Sequence, residues 1–98
     1  MIDVAKTRVE LAEHALLRPV EGTGVMLDLE SERYLGLDET ALRMVETATN
    51  AANLDVAVSE LTAIYDADAE TIRQDLVTLI SDLNERGLMH VLPAEGQS

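Results

Sequence analysis

Along this chain the spacing of apolar residues changes near position 38, from about every second residue to every third or fourth. Ala15–Val20 reads as a first strand, and Pro19 marks an edge strand or its end. Glu21-Gly22-Thr23-Gly24 reads as a turn, its glycines permitting unusual backbone angles. Val25–Leu29 follows as a second strand. Alternation places Val25, Leu27 and Leu29 on one face and Met26 and Asp28 on the other. After the polar turn Glu30-Ser31-Glu32 comes a third strand, Arg33–Leu37, with Arg33, Leu35 and Leu37 on one face and Tyr34 on the opposite one.

From Asp38 the pattern is helical. Asp38 suits an N-cap and Glu39 the first turn, where the helix dipole favours an acid. Leu42, Val45 and Ala48 then share a face, flanked by Ala41 and Met44. Asn50–Asn53 breaks this helix. Asp55 is the expected cap of a second helix, with Val58, Leu61, Ile64 and Tyr65 on its buried side. Asp68 caps a third, whose stripe Ile72, Leu76, Leu79 and Leu83 is spaced four, three and four residues apart. Gly87 suits the left-handed position after a helix, with Leu83 and Leu88 spaced for the accompanying apolar contact. Met89–Leu92 reads as a short closing strand ended by Pro93.

Strands segregated from helices imply an α+β domain: a three-stranded antiparallel sheet followed by three helices, winged helix-turn-helix-like in outline. We expect an N-terminal arm over residues 1–12 (a short helix or a loose segment), one folded unit over 13–92 and a mobile tail over 93–98.

Charge narrows the partners. Seven basic residues face nineteen acidic ones, a net charge of −12. Nucleic-acid affinity rests on Lys and Arg neutralising phosphates, so nucleic acids and anionic membranes are not expected partners. A winged-helix transcription regulator would need a basic recognition helix, and the third helix offers only Arg73 and Arg86 among several acids. No apolar run approaches the ~20 residues of a membrane span, and charges interrupt the N-terminal MIDVAKTRVEL, so it is not a secretory signal. A cytoplasmic location is expected.

Catalysis is not expected either. There is no Cys, which excludes thiol chemistry and disulfides, and the two histidines, His14 and His90, are too few for zinc. Asp66, Asp68 and Glu70 are acidic but lack the spacing of a calcium loop, and the glycines match no phosphate-binding pattern. No cofactor or metal site is expected.

The stretch GVMLDLESERYLGLDETALRMVE resembles the hairpin-to-helix passage of PqqD-like proteins. DADAETIRQDLVTLISDLNERGLM is similar to their last helix, with its acidic start, Asp75-Leu76 pair and closing Leu83, Gly87 and Leu88. The chain has Glu30-Ser31-Glu32 where the pyrroloquinoline-quinone type tends to have a Pro-Glu-Gly turn, and Asp38 where the family favours Asn. The family domain is the precursor-peptide recognition element of ribosomally made, post-translationally modified peptides, of the kind that serves pyrroloquinoline-quinone or lasso-peptide biosynthesis. The resemblance implies that a leader peptide adds as a strand to the third strand and packs on the third helix. It also implies delivery to a modifying enzyme: a protease or cyclase, or a radical SAM enzyme.

On that reading the peptide-binding residues are Arg33, Tyr34, Leu35, Gly36 and Leu37 on the strand, with Arg73, Leu76, Val77 and Ile80 on the helix. The last four belong to a second stripe that either walls a groove or is simply core. Asp75 and Asp82, or Glu30 and Glu32, are candidates for selecting basic leader residues. A dimerisation or scaffold module using the same open edge is the alternative left by the residues alone.

Overall fold

The computed structural model describes residues 3–94. Asp3 caps a 3₁₀ turn, Val4–Lys6, and the chain then forms strand β1, Thr7–Leu11. Strands β2 (Ala15–Val20), β3 (Thr23–Asp28) and β4 (Arg33–Leu37) follow as an antiparallel meander in the order β2-β3-β4. Helices α1 (Glu39–Asn50), α2 (Leu54–Tyr65) and α3 (Ala69–Glu85) come next, and strand β5 (Met89–Pro93) closes the chain. The α+β class, the three-stranded sheet and the three helices are as expected.

The N-terminal segment is not. Thr7–Leu11 pairs antiparallel with β5, Val9 opposite Val91, in a second, two-stranded sheet. Ala12 N–H donates to the Leu88 carbonyl and Ala94 N–H to that of Lys6, closing the ladder at both ends. Thr7 and Val9 face inward while Glu10 is exposed, so this strand carries the ordinary two-residue alternation. The expected tail lies mostly at residues 95–98, outside the described residues; Pro93 ends β5 and Ala94 is buried.

Each helix begins on a side-chain cap. Asp38, Asn53 and Asp68 accept from the backbone N–H groups of Ala41, Val56 and Thr71. For α2 the cap is Asn53 and not Asp55. The helix therefore starts earlier, Leu54 and Ala57 join Val58 and Leu61 in the core, and Ile64 stays half exposed. Helix α3 buries Ile72, Leu76, Ile80 and Leu83, with Leu79 only partly covered. It ends in a Schellman motif: Gly87, at φ 75°, donates to Asn84 and Leu88 donates to Leu83. That reversal turns the chain back along the helix and sends Leu88 and Met89 into the core.

The three-stranded sheet packs on α1 through its inner face, where Met26 and Leu37 are buried against Leu42 and Val45. Gly24 makes this close approach possible, since a Cβ there would lie 2.8 Å from Leu42 Cδ1. The outer face of the sheet carries Leu16, Val20 and Tyr34, all exposed.

Candidate functional site

The hairpin registers determine which backbone groups of the sheet are free. Val20 pairs with Thr23 across the two-residue turn Glu21-Gly22, whose φ angles are both positive, as a type I′ hairpin requires. The residues flanking such a turn exchange both hydrogen bonds, and bonded and non-bonded pairs then alternate. Val25 and Leu27 thus spend their N–H and C=O groups on β2. Leu29 continues this parity, donating to the His14 carbonyl at 2.8 Å. Gly24, Met26 and Asp28 must then bond to β4, opposite Leu37, Leu35 and Arg33. Within β4 this leaves Tyr34 and Gly36 with both backbone groups directed at the open edge.

The sheet has two edges, and they differ. On β2 the outward-facing positions include Pro19, which has no N–H to offer. That edge is blunted in a way natural sheets use against unwanted pairing. On β4 the outward-facing positions are Tyr34 and Gly36, and a Cβ added at Gly36 would meet nothing within 4 Å. An extended chain can approach β4 closely and cannot pair fully with β2.

Beside β4 runs a groove of about 430 Å³. Its floor is Met26, Leu35 and Leu88, and its rim holds Arg33, Tyr34, Asp28 and Ser31 from the hairpin and Arg86 from the end of α3. Arg33 and Leu35 share the inner face of β4 by alternation, which is why both look into the groove. Tyr34, on the outer face, is 76% exposed.

The hairpin end of the groove is held by Asp28. Its Oδ1 accepts from the Glu30 and Ser31 backbone N–H groups at 3.0 and 3.3 Å, and its carbonyl accepts from Glu32. Partial burial pushes the Asp28 carboxyl upward, but the Ser31 hydroxyl, these two N–H groups and nearby His14 outweigh it, leaving its pKa below the usual 3.8. At the other end Arg86 Nε donates to Asp82 Oδ2 at 3.0 Å. Among the described residues Arg33 has no carboxylate within ion-pair distance.

The helix residues expected at the site fall elsewhere. Leu76 and Ile80 are buried in the core, and neither lines the β4 groove. Arg73 and Val77 line a different, shallower hollow of about 760 Å³, together with Asp3, Val4, Glu70, Gln74 and Thr78. It is larger but has no unpaired strand edge, and Arg73 is already paired with Glu70. The acids expected to select a basic ligand are also displaced: Asp82 holds Arg86, while Glu30 and Glu32 do not line the groove. Asp66, Asp68 and Glu70 act as a helix C-cap, a helix N-cap and the partner of Arg73. Sequence reasoning missed Arg86 and Leu88. Their only local signal was the helix ending, which places them without revealing that β4 lies beside them.

The family model for coenzyme PQQ synthesis protein D (PqqD) matches residues 23–89, from the start of β3 to the start of β5. The chain belongs to the PqqD family. Among relatives, the PqqA binding protein of Rhodopseudomonas palustris strain TIE-1 is 30% identical over 89 residues, 90% of this chain and 87% of the relative. The PqqA binding protein of strain BisB5 is 29% identical over 83 residues, 85% of this chain and 81% of its own. Two solved structures share the PqqD-family fold of this chain. TbiB1 in complex with the TbiA(beta) leader peptide gives a TM-score of 0.73 at 21% identity, covering 91% of this chain and 98% of that one. A lasso peptide synthetase B1 complexed with the leader peptide gives 0.74 at 21% identity, covering 85% and 98%. No helix among the described residues is long and apolar enough to cross a membrane.

Proposed function

We propose that this protein captures the leader segment of a ribosomally made precursor peptide as an added strand on β4 and presents the precursor to a modifying enzyme. The observation that carries the reading is the asymmetry of the sheet: one edge blunted by Pro19, the other open at Tyr34 and Gly36 beside an apolar groove. Strand addition of this kind draws affinity from main-chain bonds and specificity from pockets for alternate side chains. Membership in the PqqD family supports it, as do relatives that bind PqqA and fold neighbours solved with leader peptides.

In this reading the protein does no chemistry of its own. It raises the local concentration of the precursor at its enzyme, a protease, cyclase or radical SAM protein, because a bound leader makes the second encounter effectively intramolecular. It works in the cytoplasm, where ribosomal precursors are made. The test is fluorescence anisotropy of dye-labelled PqqA and lasso-precursor leader peptides. Saturable binding that Gly36→Pro weakens by more than about tenfold supports the reading. Binding indifferent to that substitution moves the site off β4.

A further inference from the structure

The groove has a pattern of its own. A strand added to β4 places the residues facing Tyr34 and Gly36 on the outer side of the sheet. Those facing Arg33, Leu35 and Leu37 go to the inner side, and those at Arg33 and Leu35 face the groove. Opposite Leu35 an incoming side chain meets the apolar floor of Met26, Leu35 and Leu88. Two positions along, at Arg33, the groove lining holds two arginines, Arg33 from β4 and Arg86 from the end of α3.

These are two of only seven cations in a chain of net charge −12, and they line one groove. The nearby acids are already engaged: Asp28 in its turn and Asp82 with Arg86 through Nε alone, so both terminal amino groups of Arg86 remain to donate. A guanidinium pair without a shared anion is the natural partner of a carboxylate, which accepts two donors at once. On the strand-addition reading above, we infer that the ligand is a peptide carrying an apolar residue and an Asp or Glu two positions apart. The acid sits between Arg33 and Arg86. The rest of the peptide is neutral or basic, since the remaining charge of the protein repels an anionic chain.

The test is selection from a displayed library of random 12-residue peptides on the wild-type protein, repeated on Gly36→Pro, Arg33→Gln/Arg86→Gln and Arg33→Glu/Arg86→Glu. Thermal melts check that each variant is folded. Wild type should enrich Gly36-dependent peptides with Asp or Glu two places from an apolar residue. Replacing that acid by Lys in a selected, dye-labelled peptide should weaken binding about tenfold, the scale of one charge-assisted hydrogen bond in a half-exposed groove. The Gln variants should lose the acid preference and the Glu variants should exchange it for Lys or Arg. Gly36-dependent peptides with no acid preference, or a preference that survives both Arg substitutions, would overturn the inference and leave the docking edge standing. If no selected peptide depends on Gly36, the docking edge itself falls, and the inference with it.

Discussion

Gly36→Pro separates the docking edge from the fold. Proline removes one N–H and puts its ring where an added strand would lie. The N–H lost at Gly36 points outward by register, so no bond within the sheet is broken. The backbone at Gly36 is not left-handed, and a Cβ there has open space. Leu35, which precedes it, is already extended as a residue before proline should be. Stability should therefore change by less than about 1 kcal/mol. Binding should lose one hydrogen bond, about 1 kcal/mol, and leave a ligand carbonyl without a donor at about 1–2 kcal/mol more. The sum, about 2–3 kcal/mol, is roughly a 30- to 150-fold rise in Kd. Gly36→Ala keeps the N–H and should bind within about threefold of wild type. Leu35→Pro is the contrasting variant, because Leu35 N–H faces Met26 and its loss opens the sheet itself. Anisotropy titrations beside thermal melts read both quantities. Unchanged binding in a folded Gly36→Pro protein would refute the edge assignment, and so would full binding by Leu35→Pro.

Leu76 is fully buried, and Leu76→Ala should cost about 2–5 kcal/mol, lowering Tm by roughly 8–40 °C in a melt. Val77→Asp should leave leader affinity within about twofold of wild type, because Val77 lines the hollow beside the N-terminal turn and not the β4 groove; a large loss in the same titration would bring that hollow into the site. Asp28→Asn should lower stability at neutral pH and flatten its fall in acid. Because the folded pKa of Asp28 lies below 3.8, its contribution is present above that value and fades as pH drops through the lowered one. Denaturant midpoints measured across about pH 2–7 check this, and parallel curves for wild type and variant would contradict it.

Much of this fold was legible because its signals are local. The turn residues, the alternation in β3 and β4, the caps at Asp38 and Asp68 and the glycine at 87 each act within a few residues of themselves. What was missed is long-range. Thr7–Leu11 alternates as a strand should, but its partner is more than seventy residues away, and without it the segment reads as charge-rich and ambiguous. The cap of α2 is Asn53, two residues before the expected Asp55, so the helix begins earlier and Leu54 and Ala57 join its buried side. On α3 two stripes overlap at Leu76, and periodicity alone cannot say which meets the core. Packing against α2 and β5 buries Ile80 and leaves Val77 half-buried. The strand half of the candidate site was readable from Arg33–Leu37. The helix half was not, because the end of α3, and not its middle, comes beside β4.

The central claim concerns the backbone amides of β4, so amide hydrogen exchange by NMR tests it most directly. In the free protein Tyr34 and Gly36 should exchange fast, while Leu35 and Leu37, bonded to β3, should be protected. Adding saturating leader peptide should slow Tyr34 and Gly36 by at least about tenfold, with little change elsewhere in the sheet. Bound peptide with Tyr34 and Gly36 still exchanging fast, or new protection confined to α2 and the middle of α3, would contradict it.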